Sequence, residues 1–463
     1  MIALAISKEY SEYMSEQTVD PSTTAFSGNE RRQKTSGEEN AYVPPNPHEI
    51  LDKRKKLKRF DTMNFMLKEL RQPEKTATAE FIVVDRSLPP YPAAPIMAKA
   101  MARCLAAFLD FSEEAKAISE FREHLLECIC GLADENNRLA CASLMAEFES
   151  RMIEQFSEAS VIEVNSCYRS LCKVLTDAPG PRSLPWQSRL LLVSQFLAHC
   201  ADPSSVALGR KIGAQVACLM HKVFSKNPSR FASMLAGAAI DVSWRTFDGK
   251  IIVCDEHSLK AGPEEIKWVN GEDKRSYPVK IIQCLLLNNC LLRRRIPMVY
   301  RETPGRPGKN YGGQIVSVAE GEQVNPKYAT LSLLELALLA RFEFGEQNCI
   351  ITNDRSFAPT SPEIFDRQSG RNFLVHISSL EELSAALVKA RESGAMPVTV
   401  AIDERKLLSD SYQDGINHAV NVVMLNEYGM MKVFNPHLLP GMQRLSRMNV
   451  QKFYNATLSQ AKI

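Results

Sequence analysis

Between about Ala93 and Lys226, apolar residues recur at three- and four-residue spacing, the period of helices with one buried face. The pattern predicts helices over Ala98–Leu109, Glu113–Leu132, Ala140–Phe156 and Ser188–Ala198, with Pro179, Pro181 and Pro185 marking a loop. After Asn227-Pro228 the period changes. Asp241–Arg245 and Lys250–Cys254 read as strands around the turn Phe247-Asp248-Gly249. A helix over Tyr277–Leu292, a loop rich in Pro and Gly over Thr303–Gly313, and a helix over Tyr328–Phe344 come next. The remainder predicts strands at Cys349–Thr352, Phe373–Ile377, Val398–Ile402, Ala419–Leu425 and Met430–Phe434, with a helix over Leu380–Ser393. Helices first and an antiparallel sheet last predict an α+β fold.

Ser15–Asn46 is rich in Ser, Thr, Glu, Asn and Pro and nearly without large aliphatic residues, so burial there cannot offset the entropy of ordering. The expected organisation is a disordered leader over 1–75, a helical lobe over 93–200, a second domain over 205–440 and a C-terminal tail over 441–463. Such a leader resembles the uncleaved N-termini of bacterial type III secretion effectors. That resemblance implies export into a host cell without a conventional signal peptide, with a secretion chaperone at the N-terminus; a plain flexible tail in a cytoplasmic protein is the other reading.

Composition narrows the function classes. A net charge of +2 gives no electrostatic case for nucleic acid or a membrane surface as partner. Lys53-Arg54-Lys55-Lys56 and Arg293-Arg294-Arg295 read as solvated charge. No run of 18 apolar residues occurs, so no membrane span is expected. The 12 cysteines contain no C-x-x-C pair, and Cys128 and Cys130 stand too close for a metal pair. Neither zinc nor a disulfide framework is expected, only reduced thiols, and no cofactor. Eight dispersed histidines do not suggest a metal enzyme.

One stretch suggests chemistry. His418 opens the β-branched run Ala419-Val420-Asn421-Val422-Val423; the turn Asn426-Glu427-Tyr428-Gly429 follows, and a second strand ends in Phe434-Asn435-Pro436. In a hairpin, the start of one strand lies beside the end of the next, so His418 and Asn435 are expected to be neighbours. An amide oxygen beside an imidazole fixes its tautomer and leaves the other ring nitrogen to pair with a thiolate. Asp403 is expected nearby on the preceding strand. A histidine at a strand edge with a turn asparagine is the plain alternative.

Four stretches, in order, resemble the calpain branch of the papain-like thiol proteases. Asn227–Leu235 is similar to the segment after the family's nucleophile helix, and Val242–Val253, leading to Asp255, is similar to its early hairpin. Ser332–Ala340 resembles the family's A-L-L-E-K-A-Y-A-K helix, with Thr330 in place of its tryptophan. His418-Ala419 and Asn435-Pro436 match its active-site pairs, with His437 where a tryptophan is usual. The resemblance covers roughly residues 205–440 and implies a papain-like, calpain-type core.

The family nucleophile is a cysteine at the head of a helix, where the dipole and backbone amides stabilise thiolate and oxyanion. Counting back from Asn227 places that position at Ala214, preceded by Ile212-Gly213, and Leu208 stands where the oxyanion glutamine belongs. Several readings stay open: an engineered change at Ala214, Cys218 one turn on as nucleophile, a naturally inactive site, or a misplaced helix with Cys167 at another helix start. The resemblance implies a thiol hydrolase acting on a protein substrate by proteolysis, deamidation or acyl transfer, with His418 as base and Asn435 as its orienting group. The rival is an inactive scaffold that binds a host protein.

Overall fold

The computed structural model describes residues 118–457 apart from 157, 179, 181, 208–213, 271–273, 303–313, 319–320, 326–328, 347–349, 353–364, 367–370, 373, 404–417 and 437–444. The described residues fall within the compact unit Lys75–Ile463. The expected leader and the helix over Ala98–Leu109 lie outside them.

Helices α1 (Ser119–Cys130), α2 (Glu135–Phe156), α3 (Glu158–Thr176) and α4 (Trp186–Ala201) form the first layer. Buried Arg122 of α1 holds Glu149 of α2 at 2.6 Å, and the Tyr168 hydroxyl of α3 donates to the same carboxylate at 2.8 Å. Desolvation of this pair is offset by its several hydrogen bonds, and the three helices are locked in register. Helix α3 places Cys167 well inside the helix and buried, not at a helix start, and burial pushes its thiol well above the ordinary value.

The helical layer continues through α5 (Ala214–Lys226) and α6 (Pro228–Asp241), separated by Asn227, with Pro228 in the first turn where its missing N–H costs nothing. The Ser229 N–H donates to Glu163 of α3, and Arg151 of α2 donates to the carbonyls of Cys200, Phe224 and Ser225. The expected division between 200 and 205 is therefore not a break in packing.

Strands β1 (Ser243–Arg245) and β2 (Ile251–Val253) pair antiparallel, as their pattern predicts. Two single helical turns lead to α7 (Tyr277–Leu291), which is buried along its whole length. Strands β3 (Met298–Glu302), β4 (Gln314–Val318) and β5 (Gln323–Val324) then form a small antiparallel sheet around the Pro/Gly stretch. Helix α8 (Leu333–Phe344) begins later than predicted, because Ser332 and Glu335 form a capping box that sets its first turn. Two of the three arginines expected in solvent are in ion pairs: Arg293 with Asp248 at 2.7 Å and Arg294 with Glu335 at 2.6 Å.

The main sheet has six strands, in the order β13 (Leu445–Asn449), β12 (Met430–Phe434), β11 (His418–Leu425), β10 (Val398–Ile402), β6 (Ile350–Thr352), β9 (Leu374–His376). A separate two-residue pair, β7 (Phe365–Asp366) and β8 (Arg371–Asn372), stands apart. From β13 to β10 the pairing is antiparallel, but β6 joins β10, and β9 joins β6, in parallel. The sheet is thus mixed, and the expected wholly antiparallel arrangement is corrected. Helix α9 (Leu380–Glu392) makes the crossover from β9 to β10, which flank β6 and run in the same direction. Residues expected as a tail supply β13 and α10 (Val450–Ala456). Val398, Val400, Val420, Val422, Leu383 and Phe453 share one buried core on the α9 and α10 face of the sheet. The fold is α+β, and no helix among the described residues is long and apolar enough to cross a membrane.

Candidate functional site

Helix α5 and strand β11 run side by side in the same direction, and three contacts fix their alignment. The Cys218 thiol donates to the Ala419 carbonyl at 3.1 Å. One turn further along, the Asn421 amide donates to the Cys218 carbonyl at 2.7 Å and to His221 Nδ1 at 3.0 Å. At the far end, Lys226 Nζ donates to the Gly394 carbonyl ahead of β10. The Asn421 carboxamide oxygen accepts from the Thr399 hydroxyl of β10 at 2.8 Å, so its orientation is determined by partners on both sides.

Because Nδ1 of His221 accepts from an amide N–H, the ring is neutral with its proton on Nε2. It stacks on Phe434 of β12, with centroids 4.1 Å apart. Burial, and secondly the positive charge of Arg151 and Lys432, push its pKa down to about 3. His221 is a buried structural histidine.

The described part of α5 starts at Ala214, one turn before Cys218, and that of β11 at His418, next to Ala419. His418 is paired with Ile402, the last residue of β10, and Asp403 follows directly, buried, its N–H donating to the Ala456 carbonyl. Strand β12 returns antiparallel, with Phe434 opposite Asn421, so buried Asn435 just beyond it stands beside the first half of β11. Leu208, Gly213 and His437 lie outside the described residues.

Cys218 does not have the surroundings of a nucleophile. Its side chain is buried, its thiol is committed to a carbonyl, and burial pushes its pKa well above the ordinary value. A reactive cysteine needs an exposed, electropositive setting. Asp255 caps a single helical turn by accepting from the N–H groups of His257 and Ser258. Among the described residues, the one His/Cys group with metal-ligand spacing is His124, Cys128 and Cys172, on α1 and α3 rather than at the head of α5. Cys128 stands there with partners other than Cys130. The group's members come from two helices, a combination that spacing along the chain does not reveal.

No family model, curated protein or solved structure matches the chain.

Proposed function

We propose that the chain has a papain-type thiol-hydrolase architecture of the calpain kind, with the head of α5, His418 and Asn435 as its centre. The observation that carries this reading is the 3.1 Å contact between Cys218 and the Ala419 carbonyl, which aligns the second turn of α5 with the start of β11. In the complete mechanism, a thiolate at position 214 attacks an amide or acyl carbon. His418 takes and returns the proton, Asn435 orients the ring, and the amides at the helix head hold the oxyanion. Here position 214 is alanine and the thiol at 218 is buried and neutral, so neither cysteine position considered supplies a thiolate at this centre. Its role on this reading is to recognise a protein segment without cleaving it; with the polar leader as an export signal, that segment belongs to a host protein.

The test is Ala214→Cys. Alkylation by iodoacetamide, mapped to residue 214 by mass spectrometry across a pH series, is expected to show a thiolate well below the ordinary thiol pKa. Adding His418→Ala should abolish that reactivity. A thiol at 214 that titrates like free cysteine, with or without His418, would overturn the reading.

A further inference from the structure

The strongest unassigned chemistry lies on the opposite side of the sequence from that centre, where α1 packs against α3. His124 and Cys128 are four residues apart on α1 and so project from one face of the helix. Cys172, in the last two turns of α3, meets them there. The imidazole nitrogen and the two sulfur atoms all lie within 4.8 Å of one another. In a tetrahedral zinc site with Zn–S bonds of about 2.3 Å, neighbouring ligand atoms stand about 3.5–3.8 Å apart. Shifts of about an ångström close this triangle around one ion. The two sulfurs are already turned towards each other, since Cys128 and Cys172 share a hydrogen bond.

We propose that His124, Cys128 and Cys172 form a zinc site that staples α1 to α3. The donor set is one imidazole and two thiols, the borderline-soft combination that Zn²⁺ takes. As each Zn–S bond forms, the thiol releases its proton to solvent. Two thiolates and a neutral imidazole then leave the bound ion with no net charge, which suits a half-buried position. Exposure is graded across the site: Cys172 is buried, Cys128 half-buried, and His124 exposed, so the ion enters from the His124 side. The fourth position falls to water or to Glu127, whose carboxylate lies 3.9 Å from His124 Nδ1. Neither this site nor its test depends on the centre at α5.

The experiment is a Co²⁺ titration of the full, metal-free chain in a non-thiol reductant, followed by displacement with Zn²⁺. One Co²⁺ per chain should bind with a sulfur-to-cobalt charge-transfer band. Cys128→Ser should remove the band, and His124→Ala should weaken binding at least tenfold. His124 is exposed, so His124→Ala should melt at the wild-type temperature without metal but lose the rise that Zn²⁺ gives the wild type. The proposal fails if no band appears, if Cys128→Ser and Cys172→Ser retain it, or if Cys128 and Cys172 are joined as a disulfide under these conditions.

Discussion

The buried ring of His221 makes the fold acid-sensitive in a way that can be isolated. The folded state keeps the imidazole neutral down to about pH 3, whereas in the unfolded chain it takes up a proton near its ordinary 6.5. Between those values the unfolded state binds more protons, so stability falls as pH drops through 6.5. Down to about pH 5 the loss is about 2 kcal/mol, and it approaches about 5 kcal/mol near pH 3. The first figure depends little on the folded value, provided that it stays well below 5. Replacing the ring by a neutral group that still accepts from Asn421 removes the proton uptake; His221→Gln does this. The assay is urea unfolding followed by tryptophan fluorescence, at about pH 7.5 and about pH 5, on both proteins. Every other titrating group contributes to both and cancels in the difference. The wild type should lose about 2 kcal/mol more than His221→Gln over that interval. Equal losses in the two, within about 0.5 kcal/mol, would refute a neutral buried ring stacked on Phe434.

Two further substitutions test the frame around that ring. Asn421→Ala leaves the Cys218 carbonyl, His221 Nδ1 and the Thr399 hydroxyl without their shared partner, and should cost about 2–4 kcal/mol in the same unfolding assay. At Gly237, where α6 approaches β1, an added Cβ would stand 2.6 Å from the Ser243 carbonyl oxygen, a backbone atom that cannot swing aside. Gly237→Ala should therefore lower stability by about 1–3 kcal/mol, although alanine is the better helix former; a neutral or stabilising result would mean that α6 and the β1–β2 hairpin are not this close.

Elements with one dominant period were legible. Helix α7 differs from its predicted span by one residue, and strands β10 and β12 match theirs, because each carries a run of buried apolar side chains. Helix α3 was not specified. Its first turns carry Val161, Ile162 and Val164, poor helix formers, and Ile162 is 71% exposed, which spoils the apolar face. Strands β3 and β4, on either side of the expected loop over Thr303–Gly313, have no clear apolar alternation, and a charged residue, Glu302, occupies a core position. Arg275 holds it at 2.7 Å and Tyr300 hydrogen-bonds to it. A hydrophobic pattern cannot show a polar core. The parallel pairing of β6 with β10 joins segments far apart in the chain, and no local period encodes it.

At the candidate site, the legible part was the backbone: helix through 214–226, strand through 419–425, and a second strand over 430–434 ending before Asn435. The burial of Cys218 was not legible, since a cysteine one turn into an amphipathic helix looks the same whether it faces a cleft or a sheet. The alignment of α5 with β11 is held by Cys218 and His221 of α5 and by Asn421 of β11. Sliding α5 by one residue would break these three hydrogen bonds together and leave buried polar atoms unpaired, a penalty of several times about 1–3 kcal/mol. On the proposed reading, this inner network sets how α5 lies along β11. If that reading holds, a cysteine placed at 214 meets an alignment already built, and the reactivity of Ala214→Cys reports on the proposed centre.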